Sequence, residues 1–394
     1  MDRCRPYDLD DFIRSSESQA PLWLAPEPDA RGQTSPEEDL GWLADQPRYT
    51  IAVTLDPDQQ RFSGEMTLVY TNTQTALLDH LLLRLLPNGG MSYGTGELIE
   101  VGGLTVDGLP VEAANPGGDL SQLSVPLAGG LTPGRSARLA LSFSGTIPQD
   151  FGGEAAPYAY GIYNLSEHVL TLASWYPILA VFEENTWRAD AVLPIGDSVY
   201  SEIAFYEVEI TAPVDWQVAA TGAVNGRSTA GEGWIEHRYE AGPVRDFFIT
   251  ASPNFQVLSS FTGNVTVNAY YLPGSEDGAA TVLEVGEKAV QIFSDLFGTY
   301  PYTELDIVQA PMRNALGVEY PGIVLIGADG YAEPGDPAFT VTVAHEVAHQ
   351  WWYNVVGNDV FLEPWLDEGL TTFSSAVYYE EAAGPQAYAE VRAY

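Results

Sequence analysis

The chain reads as a multi-domain protein, β first and α/β after. Three observations predict this. Its 394 residues exceed one ordinary domain. Apolar residues recur with period two from about residue 45 to 255. From about 256 that pattern gives way to strands interleaved with helical spacing.

Residues 1–44 are polar, acidic and rich in proline, and read as an extended arm. In 45–255, Tyr49, Ile51, Val53 and Leu55 alternate with polar neighbours, as do Phe62, Met66, Leu68 and Tyr70. Asp56-Pro57-Asp58 between them is turn chemistry. Ala204, Tyr206, Val208 and Ile210 share a face, and Asn225-Gly226 reads as a hairpin turn. An antiparallel β domain is expected.

Residues 256–394 form the second unit. Val265, Val267, Ala269 and Tyr271 predict a strand. Ala279, Val282, Leu283, Gly286, Ala289, Val290, Phe293 and Leu296 fall at helical spacing, with Ser275 as N-cap and Gly298 as stop. Strands are expected at about 303–309 and 320–326. A helix should open at Asp336-Pro337 and run to Gly357, and a last one from Pro364 to about 382, closed by Gly384-Pro385. Gln386 to Tyr394 reads as the start of another helix.

The formal net charge is −38, with one lysine, Lys288. Such a surface repels nucleic acid and anionic lipid; its plain reading is solubility. The single cysteine, Cys4, can form no internal disulfide, and the sequence assigns no compartment. The first twenty residues lack the apolar stretch of a signal peptide, and no apolar run is long enough to span a membrane.

His345-Glu346-Val347-Ala348-His349 is an H-E-x-x-H motif inside a predicted helix. Positions i and i+4 share a face, so both imidazoles can reach one metal, with Glu346 beside it as general base. A catalytic zinc site needs a third ligand and an open position. Glu368, early in the next helix after a short connection, is the candidate. Isolated, these would be two ordinary histidines and a first-turn acid.

These motifs resemble the gluzincin aminopeptidases, the family of alanyl aminopeptidase and leukotriene hydrolase. Positions 350–367 fill the family's interval between the second histidine and the glutamate ligand. His349-Gln350-Trp351-Trp352 resembles its HQW run. Trp365-Leu366-Asp367-Glu368-Gly369 resembles its WLNEG run, with Asp367 in place of asparagine. Gly317-Val318-Glu319-Tyr320-Pro321-Gly322 resembles its GxMEN or GxMEYP segment, preceded by an FGxYPYxxLD-like approach at 297–306.

The resemblance implies a saddle-like β domain followed by a thermolysin-like catalytic domain. It implies one Zn2+ per chain, held by His345, His349 and Glu368, and a peptide or oligopeptide substrate. Gly317, Val318 and Glu319 would bind that substrate on an edge strand, with Glu319 on the free α-amine. Ser174-Trp175-Tyr176-Pro177 stands where the family has a run ending in Phe-Pro, without its substrate-binding glutamine. The family's oxyanion-stabilising tyrosine lies well beyond the glutamate ligand, and 26 residues follow Glu368, so the resemblance implies a catalytic domain incomplete at its C-terminal end. Tyr379, eleven residues past Glu368, lies about 16 Å along a helix, too far to substitute. Three functions follow: an aminopeptidase or its front part, a zinc hydrolase of other specificity (endopeptidase or epoxide hydrolase), or a non-catalytic scaffold.

Overall fold

A computed structural model describes residues 40–90, 92–193 and 200–384. Most of the expected arm, Cys4 and the helix start at Gln386–Tyr394 lie outside the described residues.

The β-rich part is organised around an eight-stranded sheet. In chain order its strands are β1 (Arg48–Asp56), β2 (Arg61–Thr71), β3 (Ile99–Val106), β4 (Leu109–Pro110), β5 (Ser136–Thr146), β6 (Ala204–Pro213), β7 (Ala223–Thr229) and β8 (Trp234–Val244). Their order across the sheet is β7-β8-β6-β1-β2-β5-β3-β4. Smaller sheets pack with it, including a four-stranded one that contains Val169–Leu172 and Ile249–Ser252. The alternating apolar sets fall on buried faces: Tyr49, Ile51, Val53 and Leu55 are all inside, as are Phe62, Met66, Leu68 and Tyr70. Removing such side chains from water is the main force holding the sheet to its partners.

Two expectations for this part need correction. The sheet is not wholly antiparallel, because β1 and β6 pair in parallel from Arg48↔Phe205 to Thr54↔Thr211. Alternation reports which face is buried, not the direction of the neighbouring strand; here the chain returns to β1 only after a long excursion. Asn225-Gly226 lies within β7, where the register shifts between Val224 and Gly226. The turn to β8 falls at 230–233, where Gly231 and Gly233 supply the positive φ.

The later part is a five-stranded sheet carrying helices. Its strands are β9 (Gln256–Thr262), β10 (Val265–Tyr271), β11 (Glu304–Ala310), β12 (Gly317–Tyr320) and β13 (Ile323–Gly327), ordered β9-β10-β11-β13-β12. The helices are α1 (Glu276–Phe297), α2 (Pro337–Ala348) and α3 (Trp365–Ala383). On α1, Ala279, Val282, Gly286, Ala289, Val290 and Phe293 are buried, whereas Leu283 is half-buried and Leu296 half-exposed. Ser275 does not cap α1 with its side chain; its hydroxyl instead accepts from Gln309 Nε2.

The expected strand at 320–326 is a hairpin. Gly322, at φ 72°, turns the chain between β12 and β13, which leaves β12 at the sheet edge. Helix α2 opens as expected, with Asp336 accepting from the Ala338 amide and Pro337 in the first turn. It ends at Ala348 rather than Gly357. Past that point the amides of Gln350 and Trp351 bond three residues back, to Val347 and Ala348, and Tyr353 takes φ 92°. The Gln350 and Trp351 side chains are held elsewhere, by the β12–β13 turn and by the Gly298 carbonyl. These tertiary bonds override helical propensity. Among the described residues no helix is long and apolar enough to cross a membrane, which says nothing of a β-barrel.

Candidate metal centre

Helices α2 and α3 pack together and bring the motif residues to one point. His345 lies in the last turn of α2, and His349 follows as its C-cap. Glu368 stands in the first turn of α3. His345 Nε2 is 3.1 Å from Glu368 Oε2 and 3.2 Å from His349 Nε2. The three ligand atoms all lie within 4.8 Å of one another. Zinc–nitrogen bonds of about 2.0–2.1 Å in a tetrahedron set neighbouring ligand atoms about 3.3 Å apart. Both separations from His345 Nε2 match this, so the residues fit a zinc ion.

The tautomer is fixed too. His349 Nδ1 faces the Trp352 carbonyl at 3.2 Å, and a carbonyl only accepts, so Nδ1 carries the proton. The Nε2 lone pair then points at the site, the arrangement a metal-ligating histidine needs. Burial pushes the His349 pKa down to about 3, with the neighbouring His345 acting in the same direction, which keeps the imidazole neutral. The hydrogen bond from His345 holds the Glu368 carboxyl below its ordinary value, as a charged ligand.

Two buried acids flank the far side of His349: Glu319 Oε1 and Asp367 Oδ2 each stand 3.9 Å from Nδ1. With His349 they form a second cluster of ligand type. Since Nδ1 bears a proton directed at Trp352, the cluster is an outer layer of acceptors around the imidazole and not a second metal site. Asp367 also accepts from Asn358 Nδ2 at 2.8 Å, and burial raises its pKa.

Glu346 is buried between α2 and the edge strand β12. It lies so close to Gly317 that a β-carbon there would come 2.4 Å from its Oε1 and 2.5 Å from its Cδ and Cγ. Gly317, Val318 and Glu319 are all on β12, paired with Ile326, Leu325 and Val324 of β13. Val318 is buried, with its side chain in the core. Sequence reasoning passed over Gln350 except as part of a run. Its side-chain oxygen accepts from the Gly322 amide at 2.8 Å, and its nitrogen donates to the Tyr320 carbonyl at 2.9 Å. It therefore ties the end of α2 to the edge hairpin. Full burial of a polar side chain beside the motif is the signal, and burial is not visible in the sequence.

Other expected residues lie elsewhere. Ser174, Trp175 and Tyr176 are fully buried, with the Trp175 indole donating to the Phe247 carbonyl. Tyr378 is buried, and Tyr379 donates to the Pro337 carbonyl at the far end of α2.

An H-E-x-x-H helix, a carboxylate from the following helix and a flanking edge strand together make a candidate site for one metal ion. The domain model of peptidase family M1 matches residues 281–393. The chain is 33% identical to aminopeptidase M1-D of Oryza sativa subsp. japonica over 153 residues, or 35% of this chain and 17% of that protein. Human endoplasmic reticulum aminopeptidase 1 is 27% identical over 160 residues, covering 38% of this chain and 17% of the relative. Aminopeptidase Ey of Gallus gallus is 26% identical over 268 residues, covering 64% and 26%. The chain thus spans well under a third of the length of these curated relatives. An M1 zinc metallopeptidase from Deinococcus radiodurans shares the fold at TM-score 0.61 and 20% identity, over 88% of this chain and 73% of that one.

Proposed function

We propose that the chain is the zinc-binding part of an aminopeptidase, hydrolysing peptide bonds next to a free N-terminus. The observation that carries this is the convergence of three ligand atoms, with His345 at tetrahedral spacing from the other two, beside a buried glutamate and a sheet's edge strand. His345, His349 and Glu368 would hold one zinc ion, and Trp352 and Asp367 would orient His349. Zinc in that position supplies Lewis acidity, polarising a carbonyl and lowering the pKa of water. Glu346 takes the proton of the attacking water and passes it to the leaving amine.

Strand β12 receives the substrate as an added strand, since among the described residues it is the last strand of its sheet. Gly317 and Val318 contribute backbone groups to that pairing, and Glu319 accepts from the substrate's ammonium. The division into a 1–44 arm, a 45–255 β domain and a 256–394 catalytic domain is part of this reading. A structure of the Deinococcus protein is described as bound to a Tyr-Ser-Ala substrate, which is consistent with a peptide here.

The run Ser174-Trp175-Tyr176-Pro177 carries no glutamine to meet the amine, which makes an endopeptidase the second reading. The test is paired. Glu346→Gln should keep zinc and lose at least 100-fold in kcat, the range of a general base. Peptides with a free N-terminus should be cleaved and their acetylated counterparts spared. Equal cleavage of both would move the assignment to an endopeptidase, and normal turnover by the variant would remove Glu346 from the chemistry.

A further inference from the structure

The two ligand-bearing helices are joined by residues 349–364, a connection with little regular structure of its own. It reaches across to the β-rich part, where two arginines grip it. Arg245 follows β8 directly. Its Nε donates to the Tyr353 carbonyl at 2.8 Å, and its Nη1 to the Ser201 carbonyl at 3.2 Å. Its guanidinium lies over the Tyr353 ring, 5.9 Å from the centroid. Gly357 closes over the same group: a β-carbon there would come within 1.9 Å of a guanidinium nitrogen. Arg188 follows the short strand Thr186–Trp187. Its Nη1 donates to Asp359 Oδ2 at 2.7 Å and also to Glu183 Oε1, while its Nε donates to Asp190 Oδ2 at 2.8 Å.

Each grip leads to a ligand. Tyr353 has φ 92°, a conformation costly for a residue with a side chain, and the peptide plane before it carries the Trp352 carbonyl. That carbonyl accepts from His349 Nδ1. By holding the next carbonyl along, Arg245 fixes the tilt of the plane that sets the histidine's tautomer. Asp359 is the other route. While one carboxylate oxygen takes Arg188, the other accepts from the Phe361 and Leu362 amides at 3.0 and 3.1 Å. The turn thus formed leads straight into α3, which carries Glu368 in its first turn.

We propose that Arg188 and Arg245 are positioning residues of the metal centre, through which the β-rich part sets the distance and orientation between the histidine pair and Glu368. The inference rests on the zinc site proposed above. Ion pairs on open surfaces contribute little, but the Arg188 and Asp359 side chains are 15% and 16% exposed, and this pair lies within a four-residue network.

The test uses the full chain with Asp359→Asn and Arg245→Lys, each close in shape to the original. Three quantities are read: zinc affinity by chelator competition, the visible spectrum of the cobalt-substituted protein, and thermal unfolding of the metal-free form. Outer-layer partners of metal ligands typically govern 10- to 100-fold in affinity. Each variant is expected to bind zinc about 10-fold or more weakly, with an altered cobalt spectrum, while the metal-free proteins unfold cooperatively near the wild-type temperature. If the wild type binds zinc and both variants match it in affinity and spectrum, the clamp is overturned and the zinc site stands. Weak binding that follows only from a collapsed metal-free fold also overturns the clamp. A wild type that binds no zinc removes both.

Discussion

Replacing Gly317 by alanine tests the placing of Glu346 without touching a metal ligand. The added methyl group would start 2.4 Å from Oε1 and 2.5 Å from two carbons of the Glu346 side chain. Carbon atoms settle about 3.5–4.0 Å apart, so the carboxylate has to withdraw by about 1 Å. The backbone at Gly317 is not left-handed, so alanine brings no conformational penalty, and the effect is steric alone. The strand side cannot yield easily, because β12 is paired along its length with β13 and Gln350 holds the turn beyond it. A 1 Å error in placing a reacting group costs about 100-fold. The expected result is kcat down about 100-fold, KM little changed and zinc affinity unchanged, from steady-state kinetics on a free peptide and chelator competition. Turnover within about threefold of wild type would show that Glu346 is not confined by β12. Lost zinc would show that the damage had spread beyond it.

Three further outcomes follow from the same geometry. Glu319→Gln removes the charge proposed to meet the substrate ammonium; since a charge-assisted hydrogen bond contributes about 1.5–3 kcal/mol, KM for free peptides should rise about 10- to 100-fold, with zinc retained. Removing zinc with a chelator should abolish cleavage reversibly and lower the unfolding temperature, because free zinc at 100 times its Kd stabilises the fold by about 2.7 kcal/mol. Asp246 gives a pH signature: burial raises its pKa to about 6, against the lowering effect of the Phe247 amide and the Tyr176 hydroxyl. The folded chain therefore takes up this proton before the unfolded chain, and the contribution grows as pH falls from about 6 to about 4 and is lost as pH rises through 6. Urea unfolding of wild type and Asp246→Asn across that range should show the wild type gaining relative to the variant toward low pH; parallel curves would refute the assignment.

The parts of the molecule legible in the sequence are those written in a local code. Burial alternates along a strand with period two, so the inward faces of β1, β2 and β6 could be read without knowing what covers them. The start of α2 was legible because Asp336 and Pro337 satisfy the first turn by themselves. The histidine pair was legible because helical geometry puts i and i+4 together in any setting. The end of α2 was not. Residues 349–357 carry no stop signal strong enough to forecast Tyr353 at positive φ, and the helix gives way there to bonds with Gly298, Tyr320 and Gly322.

The same distinction explains why the proposed metal centre was half visible. Its inner atoms come from two helices that are neighbours in sequence, and a motif records them. Its support does not. Arg188 meets Asp359 across 171 positions, and Arg245 meets Tyr353 across 108. An arginine at the end of a strand looks the same in sequence whether it faces solvent or grips a loop. What distinguishes these two is that each sits among carbonyls or carboxylates contributed by separate stretches of chain, a property of the folded state alone. A motif therefore locates the chemistry, while its precision depends on residues that carry no motif, and the zinc affinity of the Asp359 and Arg245 variants measures how much of that precision the β-rich part provides.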